Sequence, residues 1–384
     1  MNSKSSISNL DTLTHVVCTF VFVLFAFFYL YYYQAGLLTV MQHVFSGGQT
    51  HYDRFIGAVL ITLVLLLLQI LVARICRKTS MPWFAVFLPS ALCLAALTNV
   101  SVSPDDGILH FGLLAAGLPV ALLVYGALVY AGHSSGFFVA CSKIPAGPER
   151  KLWGNMLGLL LAMLFVCLTG NGNRMYHDRI YAEQCIMDGD YKQALQTIRR
   201  RGTADRSTTM LVAYALSRSG QLGERLFEFP LAGKSEALMP DGGDVRFELL
   251  PDSSFYAYMG GWYVQRMPTM RYLSYQQRHH RINRRSADYL LCAYLMDRNL
   301  DGFAKNIGRY YTVSDSASLP KHYREALLLY GHLRSNPAVV YTNSIVEADY
   351  QDFRKLEKSI ADSRERRTAM RDTYGNTYWY YYEY

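Results

Sequence analysis

Charge is nearly absent from the first 170 residues of the chain. They hold only 8 of the 38 lysines and arginines and 5 of the 30 aspartates and glutamates, so most of the charge lies in residues 171–384. Such a split predicts lipid around the first part and water around the second. None of the seven cysteines forms a C-x-x-C pair or has metal-ligand spacing, which argues against a zinc site.

Several functional motifs are missing as well. The sequence has no Gly-rich phosphate loop, nucleophile triad or metal cluster, so we expect neither a metal nor a cofactor. Its net charge of +8 forms no dense basic block, and no nucleic-acid motif accompanies it, which argues against nucleic-acid binding. Cys185 and Cys292 are the only cysteines of the second part. Either they pair in an oxidising compartment or each is a small apolar residue on a helix.

Long apolar runs fill the first part. A helix of roughly 20 apolar residues crosses a hydrocarbon core of about 30 Å. Five spans are predicted, at about residues 13–38, 55–76, 83–100, 108–131 and 152–169. The first is too long for a signal peptide and lacks a small-x-small cleavage site, so we expect it to be retained. The predicted fold is all-α, with a five-helix transmembrane bundle over residues 1–170 and a soluble helical domain over residues 171–384.

The loops between the spans predict the orientation of the bundle. One side carries seven basic residues, namely Lys4, Arg74, Arg77, Lys78, Lys143, Arg150 and Lys151, whereas the other side carries Arg54 alone. Cytoplasmic loops hold the excess of lysine and arginine, so the N-terminus should be cytoplasmic. Five crossings then place the C-terminal domain outside. In a Gram-negative cell this is an inner-membrane protein with a periplasmic domain.

The spans themselves lack charge, which limits the functions open to them. No aspartate, glutamate or lysine lies in mid-span, and this argues against a pump or transporter. The loops predicted to face outward contain Asp53 in one and Asp105 and Asp106 in the other. Such carboxylates are typical of enzymes that transfer sugars from lipid carriers. The simpler interpretation is that they build polar turns.

The second part contains a degenerate repeat. The stretch GDYKQAL, beginning at Gly189, fits the helix–turn–helix junction of a tetratricopeptide repeat, and Ala182 lies seven residues before the glycine. Gly220 is preceded by Ala213 in the same way, and Arg298 replaces the glycine in a third copy. We predict an irregular, TPR-like stack of helical hairpins, interrupted by a loop-rich segment at about residues 229–285.

Two stretches are candidate contact surfaces. The basic run RHHRINRR either binds anionic lipid headgroups or forms a solvated helix face; its arginines are Arg278, Arg281, Arg284 and Arg285.

The tail ends in TYGNTYWYYYEY, which has too much apolar surface to leave in water. Its own domain, the membrane interface or a partner would each cover this surface, and we favour packing on its own domain. The candidate partner-binding residues are Asp178, Tyr181, Thr209 and Trp379.

Three stretches together carry a resemblance: SGGQTHYDR, GDYKQAL and LPKHYREALLLYGHL. Their arrangement resembles an uncharacterised family of Bacteroides-type membrane proteins, in which several spans precede degenerate tetratricopeptide-like helices. The resemblance implies residence in the cell envelope and supplies no catalytic residues.

Two functions follow from these observations. We favour a non-enzymatic scaffold, anchored among membrane lipids, whose helical hairpins hold an envelope protein. The alternative is a membrane enzyme that acts on a lipid-linked sugar or another envelope precursor through the outward loops.

Overall fold

The computed structural model describes residues 2–79, 81–102, 109–137, 148–241, 243–261, 267–314 and 318–384. These form two compact units, one ending at His177 and the other running from Asp178 to Tyr384. Within the described ranges the strands are β1 (Val100–Val102) and β2 (Leu109–Phe111), which pair antiparallel. The rest of the regular structure is helical, which confirms the all-α prediction.

The first unit is a helical bundle. Its helices are α1 (Asn2–Phe28), which continues as a π-helical segment (Tyr29–Tyr33), α2 (Ala35–Phe45), α3 (Arg54–Ile75), α4 (Trp83–Val86), α5 (Leu88–Thr98), α6 (Leu113–Ser134) and α7 (Pro148–Thr169). Among the described residues, four helical stretches are long and apolar enough to cross a membrane: Thr12–Tyr33, Arg54–Ile75, Leu113–Ser134 and Glu149–Thr169. The prediction of five membrane-length helices is therefore wrong.

The segment predicted as the third span is broken at Phe87 into helices of 4 and 11 residues. Pro89 explains the break, because it has no N–H to donate to the carbonyl of Ala85 one turn earlier. The hydroxyl of Tyr125 on α6 donates to that carbonyl instead, at 3.0 Å. Neither piece alone reaches the length that spans a bilayer.

α5 nevertheless occupies the centre of the bundle, in contact with α3, α6 and α7. Small residues on it allow close packing, and both Ala91 and Ala95 are buried. The Ser90 hydroxyl is also buried and donates to the carbonyl of Leu65 on α3, at 2.9 Å. A helix enclosed in this way exposes little surface to lipid.

A layer of polar contacts lies at the end of the bundle where α4 begins. Nε2 of Gln69 on α3 lies 3.0 Å from Nε2 of His15 on α1, and the His15 ring packs on Trp83 with centroids 4.4 Å apart. The backbone N–H of Phe84 donates to Oδ1 of Asn155 on α7, at 3.0 Å. The start of α4 is thus level with the early part of α1 and of α7.

A second polar layer lies at the other end. The hydroxyls of Tyr29 and Thr98 are 3.3 Å apart, and the backbone N–H of Asn171 donates to the carbonyl of Thr98, at 2.9 Å. Nδ2 of Asn99 donates to the carbonyl of Thr169, at 2.6 Å. The ends of α1, α5 and α7 therefore meet here, and α4–α5 runs between the same two layers as α1 and α7.

The helices that follow build the second unit. They are α8 (Arg174–Met187), α9 (Tyr191–Arg201), α10 (Arg206–Arg218), α11 (Leu222–Arg225), α12 (Asp252–Tyr258), α13 (Thr269–Arg278), α14 (Arg284–Met296), α15 (Leu300–Ile307), α16 (Lys321–Leu333), α17 (Ser344–Ser359), α18 (Ser363–Tyr374) and α19 (Tyr378–Glu383). Short 3₁₀ turns cover Leu226–Glu228 and Ser235–Ala237. One continuous apolar cluster, from Ala182 to Trp379, holds these helices together.

One turn recurs at the hairpins of this unit. Gly189, Gly220 and Arg298 have φ angles of +81°, +70° and +56°. In each case the next residue donates its N–H to the carbonyl five positions back, as Asp190 does to Cys185 at 2.8 Å. This is the Schellman closure of a helix, which favours glycine at the left-handed position. Arg298 adopts that conformation without being glycine.

The segment predicted to interrupt the hairpins is held by a buried carboxylate on α8. Glu183 accepts the backbone N–H groups of Glu248, Leu249 and Leu250, at 3.0, 2.8 and 2.8 Å. Burial raises the pKa of Glu183 to about 7, and the three backbone hydrogen bonds oppose that rise. The described part of the segment is therefore anchored rather than loose.

The aromatic tail packs on its own domain. The backbone N–H of Tyr378 donates to Oε2 of Glu325, at 2.7 Å, and the indole N–H of Trp379 donates to the carbonyl of Glu325, at 2.9 Å. The Tyr378 ring meets Phe227 edge-on, with centroids 4.9 Å apart. The tail therefore completes the core.

Candidate functional site

Asp53 is the one described carboxylate of the loops predicted to face outward, and it has a structural contact. Its carboxylate accepts the backbone N–H of Ile56, at 2.8 Å, and so caps the first turn of α3. Asp105 and Asp106 lie outside the described residues. Among the residues that the structure describes, no group of three histidine, cysteine or carboxylate side chains is placed to hold a metal ion.

The four predicted partner-binding residues are not brought together on one surface. Asp178 pairs with Arg201 at 2.6 Å, and Tyr181 is half-buried against the core. Thr209 is fully buried, and its hydroxyl both accepts the N–H of Ala232, at 2.9 Å, and donates to the carbonyl of Ala232. Trp379 is 2% exposed, so its indole has no free face to offer.

The basic run divides into two pairs. Arg278 ends α13 and Arg281 lies in the following turn, and both are exposed. Arg284 and Arg285 open α14 and line a groove. The division follows from His280, which has a φ of +54° and reverses the chain between the two helices.

That groove is a concave surface of the second unit, with a volume of about 1020 Å³. It forms where α10 and α12 end and α14 begins. We call it the tyrosine–arginine groove, after the side chains that define it: Tyr191, Tyr258, Tyr311, Arg218, Arg284 and Arg285.

The arginines of the groove lie over the tyrosine rings. The guanidinium carbon of Arg285 is 4.6 Å from the centre of the Tyr258 ring, and that of Arg218 is 5.2 Å from the same ring. Arg284 lies 5.9 Å from the centre of the Tyr311 ring. These are cation–π distances. Ring contact orients a guanidinium without using its in-plane N–H groups. One N–H of Arg218 donates to the Tyr214 hydroxyl, at 3.1 Å.

Tyr258 is itself held in place. Its hydroxyl lies 2.9 Å from that of Ser217 on α10. Burial raises the pKa of Tyr258, and the positive charges of Arg285 and Arg218 act in the opposite direction. The ring is therefore a fixed platform at the centre of the groove.

Asp288 lies one turn after the two arginines of α14 and faces the same groove. Its Oδ1 accepts the hydroxyls of Tyr311, at 2.6 Å, and Tyr323, at 3.1 Å. Burial raises the pKa of Asp288, whereas these two hydrogen bonds and nearby Arg284 lower it. Through Oδ1, Asp288 holds the hydroxyl of the Tyr311 ring that lies beneath Arg284.

Two smaller cavities adjoin the tyrosine–arginine groove. One, of about 530 Å³, shares Arg284 and Tyr311 with it, and the other, of about 510 Å³, shares Tyr191 and Gln221. Seven basic and three acidic side chains line the three cavities: Lys192, Arg199, Arg218, Arg225, Arg284, Arg285 and Arg309 against Asp190, Glu224 and Asp288. The face they form is long, open and positively charged.

Sequence reasoning identified Arg284 and Arg285 but missed Arg218, Tyr258 and Tyr311. Both Arg218 and Tyr258 come two residues before a positive-φ glycine, Gly220 and Gly260. Such a position marks the end of a helix near a turn, and this was the available signal. Nothing in the sequence indicates that these two helix ends meet.

The comparisons with known proteins reach only the C-terminal part of the chain. A family model described as "Family of unknown function (DUF6057)" matches residues 265–384, which include Arg284, Arg285 and Asp288. No curated protein matches the chain. No solved structure matches it either.

Proposed function

We propose that this protein is a membrane-anchored binding protein whose C-terminal, TPR-like domain holds an envelope partner in the tyrosine–arginine groove. The observation that carries the proposal is the groove itself. It is lined by oriented arginines and tyrosines, which are the side chains that protein interfaces use most for affinity. Its volume of about 1020 Å³ suits several residues of a bound segment.

Membrane anchoring is supported by the four membrane-length helices. We further propose that α4–α5 is a fifth, short crossing. At 1.5 Å per residue, the stretch from Trp83 to Thr98 covers about 24 Å, and it joins the two polar layers of the bundle. Because α5 is enclosed by α3, α6 and α7, it needs little lipid-facing apolar length of its own.

Five crossings put the two ends of the bundle's chain on opposite sides of the membrane. Loop charges favour a cytoplasmic N-terminus, with seven basic residues on that side against Arg54 on the other. The C-terminal domain would then lie outside the cytoplasm. We propose the inner membrane and the periplasm as its location.

The TPR-like description is supported by the repeated turn. Gly189, Gly220 and Arg298 end their helices in the same left-handed conformation, and the predicted small residues Ala182 and Ala213 are both fully buried. Stacked hairpins of this kind bury a continuous core and expose an extended surface.

Co-purification of the full chain in mild detergent, after crosslinking in cells, tests the proposal. We expect one envelope protein in stoichiometric amount, and its loss in the double variant Y258A/Y311A. Tyr275→Ala is the matched control, because Tyr275 is exposed outside the groove. Recovery of no partner with the unmodified chain would refute the proposal.

A further inference from the structure

We propose that the tyrosine–arginine groove recognises an acidic peptide segment and that Arg218 and Arg285 bind its carboxylates. This inference rests on the proposed function and names the chemistry of the partner. It goes beyond that function because a partner could also bind through apolar contacts alone.

In the part of the chain that the structure describes, Arg218 and Arg285 lack a neighbouring carboxylate that would compensate their charge. Arg218 and Arg285 share the Tyr258 ring, at 5.2 and 4.6 Å from its centre. Among the described residues, neither guanidinium has a carboxylate within 4.0 Å. Elsewhere in the same domain arginines do pair, as Arg201 with Asp178 and Arg334 with Asp301. Two like charges held near one ring repel each other, and an anionic ligand removes that repulsion.

Arg284 and Arg285 lie in the first turn of α14. The helix macrodipole disfavours cations there and favours them in the last turn. Asn283 already caps this helix through the N–H of Ser286, at 2.8 Å. The dipole therefore gives neither arginine a stabilising role at this end of α14. Arg284 lies near Asp288 and lowers its pKa, so it is Arg285 to which an anionic ligand gives a role.

The shape of the face favours a peptide over a lipid surface. An anionic bilayer attracts clusters of cations that lie at its surface. Here Arg218, Arg284 and Arg285 lie against rings inside a groove, and the cavities on either side share residues with it. An extended chain with acidic side chains fits such a linear series of cations and rings.

The test uses the purified full chain in nanodiscs of neutral lipid. The probe is a short fluorescein-labelled peptide of alternating glutamate and serine, and the control peptide has glutamine in place of glutamate. We expect the glutamate peptide to bind and the glutamine peptide not to bind. The affinity for the glutamate peptide should fall as the salt concentration rises. R218E and R285E should each weaken binding by at least about tenfold, the scale of a charge-assisted hydrogen bond.

Arg278→Glu supplies the matched control. It makes the same change of charge on an exposed residue outside the groove, so binding should stay within about twofold of the unmodified chain, because a distant surface charge is screened. Unchanged resistance to protease establishes that R218E and R285E remain folded, as expected for exposed side chains.

Two results would overturn the inference. One is that the glutamate peptide binds but R218E and R285E leave its binding unchanged. The other is that the glutamate peptide does not bind at all; if phosphatidylglycerol vesicles bind instead and these variants abolish that binding, the groove is assigned to lipid. If a partner still co-purifies with R218E/R285E as it does with the unmodified chain, the inference fails while the proposed function stands.

Discussion

Glu183 accepts a hydrogen bond from the backbone N–H of Leu249, which lies 66 positions later in the chain, at 2.8 Å. Through this bond and two others, α8 fixes the segment that leads into α12. Because α12 ends in Tyr258, the buried carboxylate on α8 helps to place the central ring of the groove.

Glu183→Ala should lower the stability of the C-terminal domain by about 1–3 kcal/mol, the cost of leaving a buried polar group without its partner. Both carboxylate oxygens accept backbone N–H groups, and alanine supplies no acceptor for any of the three. Pulse proteolysis of the full chain in increasing urea, with detection of a C-terminal tag, measures the change. An unaltered midpoint would contradict the role given to Glu183.

The same residue predicts a pH dependence. Burial raises the pKa of Glu183 from 4.5 to about 7, so between these values the folded state binds a proton that the unfolded state has released. Its contribution to stability is then fully present below about pH 4.5 and is lost as the pH rises through about 7. The urea midpoint should fall over this range, and by less in E183Q. If the urea midpoint falls equally with pH in both proteins, the buried carboxyl of Glu183 is not the titrating group.

Gly223→Ala should destabilise the domain, whereas Gly331→Ala should not. A Cβ at Gly223 would lie 2.5 Å from Cζ of the buried Tyr323, but one at Gly331 meets nothing within 4 Å. Overpacking of this kind costs about 1–3 kcal/mol. An alanine in the exposed helical position should stabilise by roughly 0.5–1 kcal/mol. The urea midpoints of the two variants should therefore move in opposite directions, and a shared direction would contradict the packing of α11 on α16.

Trp379→Ala should cost about 3–5 kcal/mol, as for other buried tryptophans, because the indole fills the core beside Tyr350 and Phe353. Ile345→Ala is the control, since Ile345 is 72% exposed and should change stability by no more than about 0.5 kcal/mol. The urea midpoint of each variant checks this. A stable W379A domain would indicate that the tail is not part of the core.

Alkaline phosphatase fused after Tyr384 should be active in a Gram-negative host, and the same enzyme fused after Lys78 should be inactive. The first result is expected if α4–α5 crosses the membrane, since five crossings export the C-terminal domain. An inactive Tyr384 fusion beside a stable, full-length product would mean that α4–α5 does not cross or that the bundle is inverted.

How far the fold was predictable depended on whether a signal was local. The turns at Gly189 and Gly220 were readable because a helix end and its left-handed residue lie next to each other in sequence. The helix length of the third span was misjudged because hydropathy registers Pro89 as one residue of an apolar run, whereas its missing N–H breaks the helix at Phe87.

The groove was not predictable, because its residues are far apart in sequence. Arg218 and Arg285 come from separate hairpins, and only the packing of α10, α12 and α14 brings them to one ring. Composition indicated that Trp379 was important but not that it is buried, since an aromatic tail has the same sequence whether it meets its own core or a partner.

Photo-crosslinking in cells tests the central claim most directly, with benzoylphenylalanine placed at Ser254 in the groove or at Lys355 on an exposed helix face outside it. We predict one crosslinked product with an envelope protein from position 254 and none from position 355. No product from position 254, or the same product from both positions, would contradict binding through the groove.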